Sequence, residues 1–203
     1  IPVTGAIKHV HEPDNNHAAY FDVIIGEAFT GKLPDQITSI TIFGPDGKLA
    51  IEKQDFTYLP GTRNFWAKVP GIPKTGVYIF EVAKGGKKGS GTDILAEIIT
   101  IPLPDITCFS PSSGSTLTAD TRLFSWRAVE SEVPLYYRLE INKPYGGRVY
   151  STGYIKDMQS HTVPGGVLKP GQAYRWRIRV TDNYDWKHIH NRSHSSWQMF
   201  YVR

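Results

Sequence analysis

Prolines, glycines and aromatic residues interrupt this chain along its whole length and limit it to short extended segments. Its 203 residues include 14 Pro, 19 Gly, 5 Trp, 11 Tyr and 9 Phe. No window of about twelve residues keeps apolar side chains at helical spacing without a Pro or Gly inside it, so we predict almost no α-helix. Short β-branched and aromatic runs between turn-forming residues favour strands instead. The sequence therefore predicts an all-β protein.

Strand-like runs alternate with turn signals in the first half of the chain. We predict strands at residues 6–11, 18–25, 37–43, 49–53, 64–69, 77–83 and 94–101. We interpret the glycine-rich run 85–91 as a hairpin loop, because phosphate-binding loops usually begin a helix and none is predicted here. Short strands at this spacing are typical of a β-sandwich.

The Pro-containing segment 101–105 is the best candidate for a domain boundary. Its two prolines remove backbone donors and stiffen the chain, and 203 residues suit two domains of about 100 residues each. We predict a first domain at 1–103 and a second at 104–203. The second-half strands are predicted at 107–109, 122–128, 135–142, 147–154, 160–163, 173–182 and 196–202. The expected fold is two tandem β-sandwiches.

The second half contains motifs of a known module. Three stretches resemble fibronectin type III modules: residues 111–114 leading to Phe124-Ser125-Trp126, residues 137–150, and Leu168-x-Pro170-x-x-x-Tyr174 with the strand that follows. The third stretch is the most specific. The resemblance implies that Trp126 and Tyr174 are core residues and that the Tyr174 hydroxyl bonds the backbone upstream. Along 174–180 apolar residues alternate with three arginines, so one face is expected in the core and the other solvated. The first half is generically immunoglobulin-like.

Members of this family act in adhesion, as receptors, as spacers or beside enzymes, usually outside the cytoplasm. We therefore expect a non-enzymatic, monomeric binding or spacer protein that is extracellular, cell-surface or periplasmic, with another protein or a glycan as partner. The alternative is a carbohydrate-binding accessory module, motivated by Tyr145, Tyr184 and Trp186 in loops. Trp197, before the last strand, is expected to stack on Arg175, Arg177 or Arg179.

Positive charge is concentrated in the second half. Residues 1–103 contain 10 Lys and Arg against 11 Asp and Glu, whereas residues 104–203 contain 13 against 8. Arginines that alternate with aromatics attract anionic polymers, or they form the solvated face of a strand. We favour the solvated face and expect no nucleic-acid partner. We also expect no membrane insertion, because no apolar run approaches about 18 residues.

The long segment between the last two predicted strands is the candidate ligand-binding site. Residues 183–194 form an insertion relative to the resembled family and carry Tyr184, Asp185, Trp186, His188 and His190. Loops on rigid sandwiches often hold binding residues, and flat aromatic rings suit a sugar or a peptide. The alternative is that the loop folds back and buries its aromatics as a plug.

The sequence offers little for catalysis or metal binding. The pairs His9/His11 and His188/His190 lack a third metal ligand, and turn formation explains the Asp and Asn clusters at 14–16 and 182–185 more simply than calcium does. No nucleophile elbow, Walker loop or His-Glu-x-x-His motif is present. We expect no enzyme activity, metal or cofactor. The single Cys108 is interpreted as a buried, inert thiol.

Overall fold

The computed structural model describes residues 1–26, 33–60, 62–118 and 120–203. Within these ranges the regular structure is seventeen strands, one short helix α1 (Leu33–Gln36) and two 3₁₀ helices, so the predicted all-β sandwich class is confirmed. The chain divides into two compact units: Ile1–Val10 with His17–Ile99, and His11–Asn16 with Thr100–Arg203. The bounds 1–103 and 104–203 stay a prediction. None of the helices among the described residues is long and apolar enough to cross a membrane.

The first unit is built from two layers of strands. Its strands are β1 (Val3–His11), β2 (His17–Ile25), β3 (Ser39–Gly44), β4 (Gly47–Lys48), β5 (Thr57–Leu59), β6 (Asn64–Pro70), β7 (Gly76–Lys84) and β8 (Lys87–Leu95). Hydrogen-bonded neighbours follow the orders β1-β2-β6-β5 and β4-β3-β7-β8. Phe21 and Phe65 from the first set pack in one core with Ile42 and Phe80 from the second. The period-two alternation of these strands therefore places their apolar side chains between the layers.

Two strand predictions in the first half are wrong. Residues 49–53 form no strand, because β4 ends at Lys48 and a 3₁₀ helix occupies Lys53–Asp55. The Asp55 carboxylate accepts a hydrogen bond from the Glu52 backbone N–H at 2.7 Å, which caps this helix. The predicted strand at 94–101 is also wrong, since β8 ends at Leu95.

The glycine-rich run 85–91 is mostly strand rather than loop. Only Gly85 and Gly86 form the turn, with φ values of 51° and 80°, and left-handed φ at both positions suits a two-residue hairpin turn. Lys87 already pairs with Lys84 in the β7–β8 ladder. Gly91 then lies where a side chain would overlap the Val3 carbonyl oxygen. The glycines within β8 therefore allow a close backbone approach that sequence alone does not reveal.

The second unit has one large set of strands and one small pair. Its strands are β9 (Ser115–Leu117), β10 (Leu123–Ser125), β11 (Tyr136–Lys143), β12 (Gly146–Ser151), β13 (Ile155–Lys156), β14 (Ser160–Thr162), β15 (Gln172–Thr181), β16 (Asn191–His194) and β17 (Gln198–Val202). Neighbours follow the order β12-β11-β15-β16, β13 pairs with β11, and β17 pairs with β15 and with β9. Strands β10 and β14 pair with each other.

A cluster of aromatic rings fills the core of the second unit. Trp176 is fully buried, and its ring centroid lies 4.7 Å from that of Phe109 and 5.1 Å from that of Phe124. Trp126 and Tyr174 are also buried, as predicted. The Tyr174 hydroxyl accepts a hydrogen bond from the Lys169 backbone N–H at 2.8 Å, so the predicted bond to upstream backbone is confirmed.

The wrong strand predictions in the second half concern short elements. Residues 107–109 form no strand; a 3₁₀ helix spans Ile106–Cys108, and the Asp105 side chain accepts from the Thr107 N–H at its start. Cys108 in this helix is partly exposed rather than buried, with its Sγ 3.4 Å from an Asp105 carboxylate oxygen. Strands β9, β13 and β16 were not predicted, and β16 occupies the end of the supposed loop at 183–194.

Candidate functional site

The loop between β15 and β16 is closed at its base by Asp182. The Asp182 carboxylate accepts hydrogen bonds from the backbone N–H of His190 (3.2 Å), from the backbone N–H of Asn191 (2.9 Å) and from Asn191 Nδ2 (2.9 Å). Burial is the largest influence on this carboxyl and raises its pKa, although the three bonds oppose the shift. Asn191 is itself buried, and it begins Asn191-Arg192-Ser193, which fits the N-glycosylation sequon, so this sequon is not presented on the surface of the folded chain.

The middle of the loop is a tight turn organised by Asp185. Its backbone N–H donates to Asn183 Oδ1 at 3.0 Å, and its carboxylate accepts from the Lys187 N–H and contacts His188 Nδ1, both at 3.1 Å. The Lys187 hydrogen bond is the largest cause of a lowered pKa at Asp185. Asp182 at the base and Asp185 in the middle thus both hold the loop backbone by hydrogen bonds. These bonds do not involve the aromatic side chains.

The aromatic side chains of this loop face solvent. Tyr184 is 66% exposed and Trp186 is 38% exposed, while Ile189 is buried and anchors the loop from below. The Tyr184 ring centroid lies 5.7 Å from that of Tyr136, and Lys187 Nζ lies 6.0 Å from the Trp186 centroid. The plug alternative required these rings to be buried, and they are not.

In each of the two histidine pairs considered as metal ligands, the two residues have different surroundings. His188 is exposed and contacts Asp185, while His190 is half-buried at the base of the loop. In the other pair, His9 Nε2 lies 2.9 Å from His17 Nδ1, whereas His11 contacts the Ile101 carbonyl oxygen. Across the parts of the chain that the structure describes, no group of three or more His, Cys, Asp or Glu side chains is placed to hold a metal ion.

Sequence reasoning missed an arginine cluster on the outer face of the β11–β15 pair. Glu140 is its centre: Arg177 Nε and Arg179 Nε lie 2.9 and 3.0 Å from Glu140 Oε2, and Arg138 Nε and Arg148 Nη2 lie 3.7 and 3.9 Å from Oε1. The expectation that the strand arginines form a solvated face is wrong, because Arg177, for example, has a side chain only 14% exposed. The β11–β15 register places Glu140 directly opposite Arg177 and so brings the charges together.

A tryptophan extends this arginine cluster. The guanidinium carbons of Arg175 and Arg177 lie 4.6 and 4.4 Å from the centroid of the Trp197 ring. The predicted stacking of Trp197 on strand arginines is therefore present in the structure, with two arginines rather than one.

The electrostatics of the cluster follow from one carboxylate among many cations. Burial by itself would raise the pKa of Glu140, but attraction by Arg179, Arg177 and Arg138 outweighs it and lowers the pKa to about 2. Burial, followed by repulsion from Arg179, lowers the pKa of Arg177 to about 10. Burial, followed by repulsion from Arg177, lowers the pKa of His194 to about 3. Glu140 is thus ionised and His194 neutral at physiological pH.

The first unit contributes a shallow polar depression of about 460 Å³. It is lined by Lys48, Leu49, Ala50, Glu52, Gln54 and Asp55. It contains none of the site residues predicted from the sequence. Its lining is mostly exposed charged and polar side chains, in contrast to the apolar walls that are usual for small-molecule sites.

A protein-family model matches most of the second unit. Residues 106–201 match the family model for the N-terminal immunoglobulin domain of Rha78A-like proteins. This part of the chain is immunoglobulin-like. The match does not include residues 1–105. It gives no specific support to the fibronectin type III assignment, which stays a resemblance. No curated protein matches the chain.

Two solved structures illustrate the distant similarity of the whole chain. Dimeric latent PorU from Porphyromonas gingivalis is 12% identical with a TM-score of 0.34, and the alignment covers 100% of this chain and 20% of that one. A chimeric titin Z1Z2 functionalised with a KLER peptide from decorin is 14% identical with a TM-score of 0.32, covering 100% and 96%. The chain thus spans about a fifth of the length of the PorU chain.

Proposed function

We propose that the chain is a non-enzymatic binding module of an exported or cell-surface protein, and that residues 182–190 form its ligand-binding loop. The observation that carries this proposal is the exposure of Tyr184 and Trp186 on a loop whose backbone is fixed by Asp182 and Asp185. Tyr and Trp supply large contact areas at a small cost in conformational entropy. A loop that is already held in one conformation also loses less conformational entropy on binding than a flexible loop does.

The chemistry of the loop suits a protein segment or a glycan as the partner. The exposed rings offer flat apolar faces, and Asp185, Lys187 and His188 supply polar groups around them. The description of the matched family places its domain at the N-terminus of Rha78A-like proteins. That position supports a module that is joined to further domains and either spaces them or adds a binding surface. The carbohydrate-binding alternative is favoured by the same exposed rings, so the test must include glycans.

The test compares two surfaces of the same unit. The full chain is screened on a glycan array and against a phage-displayed peptide library, and each hit is titrated with Tyr184→Ala, Trp186→Ala and Tyr145→Ala variants. Tyr145, the third aromatic of the carbohydrate-binding alternative, is fully exposed at the turn between β11 and β12, at the other end of the sheet, and serves as the comparison for a second surface. We expect each loop variant to weaken a hit about tenfold or more, and the Tyr145→Ala variant to bind as the wild type does.

Two results would count against the binding proposal. If no glycan or peptide binds, the loop is not a binding site and the spacer role remains. If Tyr145→Ala weakens the hits as much as the loop variants do, the ligand contacts another surface.

The domain bounds 1–103 and 104–203 are part of the same proposal. The support is the Pro-containing segment at the junction and the family match that begins at residue 106. Expressing residues 104–203 alone tests them: we expect a single cooperative unfolding transition. A fragment that is unfolded by far-UV circular dichroism would show that the bounds are wrong.

A further inference from the structure

Strand β3 of the first unit has one side that its neighbouring strand covers only in part. Within the part of the chain that the structure describes, β3 lies between β4 and β7 in its sheet. It pairs with β7 along almost its whole length, but β4 ends at Lys48 and pairs only with Phe43 and Gly44. The stretch from Ser39 to Thr41 is therefore an uncovered sheet edge on the β4 side.

The backbone of Ile40 points towards this uncovered side. The Leu49 N–H, just after β4, donates to the Ile42 carbonyl oxygen at 2.8 Å, so the backbone of Ile42 faces β4. Residues two apart on a strand have the same orientation, so the N–H and C=O of Ile40 face the same way. The Ile40 side chain is buried in the core of the first unit. Ile40 thus combines a fixed side chain with a backbone donor and acceptor at the edge.

An open groove runs beside Ile40. A depression of about 220 Å³ is lined by residues 38–41 of the edge and, on its other side, by Lys48, Glu52, Lys53 and Gln54. It adjoins the larger depression of about 460 Å³, since Lys48, Glu52 and Gln54 line both. A polar groove with the edge of a strand as one wall suits an extended polypeptide better than an apolar small molecule.

The charges around the groove favour an acidic side chain in the bound segment. The Glu52 carboxylate already accepts a hydrogen bond from Gln54 Nε2 at 2.7 Å. Lys48, by contrast, forms no salt bridge with any residue that the structure describes. It lies opposite Phe43, on the same outer face of the sheet as Thr41. A bound residue beside Thr41 would lie about 6.7 Å from Lys48 along the same line, within reach of the flexible lysine side chain.

We propose that the edge of β3 at residues 39–41 binds an extended segment of a partner protein as an additional strand, with an acidic residue of that segment beside Lys48. The backbone of the segment pairs with the N–H and C=O of Ile40. In this mode of recognition the main-chain hydrogen bonds give affinity and alternate side chains give specificity. The edge is only about 10 Å long, so we expect a weak complex with a Kd on the order of 10–100 μM. The site does not use the 182–190 loop and is independent of the proposed function.

The test uses the full chain with Tyr184→Ala and Trp186→Ala, so that binding to the 182–190 loop is removed. A phage-displayed library of linear heptapeptides is screened on this chain, and the enriched peptides are synthesised and titrated. Each amide of a peptide is then methylated in turn, because only alternate N–H groups of an added strand face its neighbour. We expect a loss of affinity of about tenfold or more at alternate positions, and of less than about twofold at the positions between them.

Protein variants locate the site on β3. Gln54→Trp places a bulky ring in the groove, and Ser90→Trp, at an exposed position on β8 of the same sheet, is its matched control. Lys48→Glu is compared with Lys88→Glu, an exposed position with the same change in net charge. We expect Gln54→Trp to weaken binding about tenfold or more, Lys48→Glu about fivefold, and the two controls less than about twofold.

Hydrogen exchange of the Ile40 amide gives a readout that does not depend on any variant at the groove. A bound strand that accepts from this N–H should slow its exchange about tenfold or more at saturating peptide. Three results would overturn the proposal: no heptapeptide binds, methylation acts without alternation, or the two controls weaken binding as much as the groove variants do. A dimer of the peptide-free chain that Gln54→Trp dissociates in sedimentation would also overturn it, because a second copy would then occupy the edge.

Discussion

The side chains of Glu140 and Arg177 meet across two neighbouring strands, with Arg177 Nε donating a 2.9 Å hydrogen bond to Glu140 Oε2. Arg179 Nε lies 3.0 Å from the same oxygen, and the Glu140 side chain is only 3% exposed. One carboxylate therefore compensates several guanidinium groups on the outer face of the sheet. Removing it would take this shared counter-ion away from half-buried positive charges that lie close to one another.

We expect Glu140→Gln to lower the free energy of unfolding by about 3–5 kcal/mol, because it removes one partner of a buried ion pair and keeps the side-chain volume. Urea unfolding followed by tryptophan fluorescence measures the change. Glu132→Gln, at an exposed position, is the matched control and should shift stability by no more than about 0.5 kcal/mol. Equal effects of the two substitutions would show that the Glu140 charge does not stabilise the fold.

The low pKa of Glu140 predicts a specific loss of stability in acid. Its pKa is about 2 in the folded chain and 4.5 ordinarily, so its contribution is full above pH 4.5 and is lost as the pH falls towards 2. That shift corresponds to about 3 kcal/mol. His194, with a pKa lowered to about 3 from 6.5, also destabilises the fold as the pH falls from 6.5 to 3. Subtracting the Glu140→Gln curve isolates the Glu140 part; parallel curves below pH 4.5 would contradict the assignment.

Trp126 tests the core of the second unit. Its side chain is buried beside Tyr137, with ring centroids 6.5 Å apart. Trp126→Ala should therefore cost about 3–5 kcal/mol of unfolding free energy. Trp186→Ala deletes the same side chain from the exposed loop and should cost about 1 kcal/mol or less. An unchanged melting temperature for Trp126→Ala would mean that this tryptophan does not support the core.

Features that depend on local alternation could be predicted from the sequence. The pattern Tyr-Arg-Trp-Arg-Ile-Arg-Val at 174–180 assigns alternate residues to opposite faces without knowledge of any other strand, and its apolar members are buried. Trp126 and the Tyr174 hydrogen bond followed from the resemblance to a known module. The all-β class followed from the distribution of Pro and Gly.

Features that depend on the pairing of distant strands could not be predicted. Glu140 meets Arg177 only through the β11–β15 register, which joins residues 37 positions apart. The base of the candidate loop depends on Asp182 reaching Asn191, the first residue of the short strand β16, which local sequence does not predict. At Ile106–Cys108 a side-chain cap outweighs strand propensity. Exposure of Tyr184 and Trp186 likewise required the structure.

The hydroxyl of Tyr174 gives a smaller, cleaner test. It accepts from the Lys169 N–H at 2.8 Å while its ring is buried. Tyr174→Phe keeps the ring and leaves that N–H without this acceptor, so stability should fall by about 1–2 kcal/mol. Tyr145→Phe, at a fully exposed position, should be neutral within about 0.5 kcal/mol. A neutral Tyr174→Phe would mean that the hydroxyl does not hold the turn in solution.

The glycines of β8 provide a test in the first unit. A methyl group at Gly91 would overlap the Val3 carbonyl oxygen of β1, and Gly5 N would lie 3.3 Å from it. Because backbone atoms cannot move aside as a side chain does, Gly91→Ala should destabilise the first unit by about 1–3 kcal/mol. Ser90→Ala also places a methyl group on β8, but on the exposed face, and should have little effect. Hydrogen exchange at the β7–β8 ladder reports on this unit directly. Equal protection in the two variants would show that β1 does not approach β8 this closely.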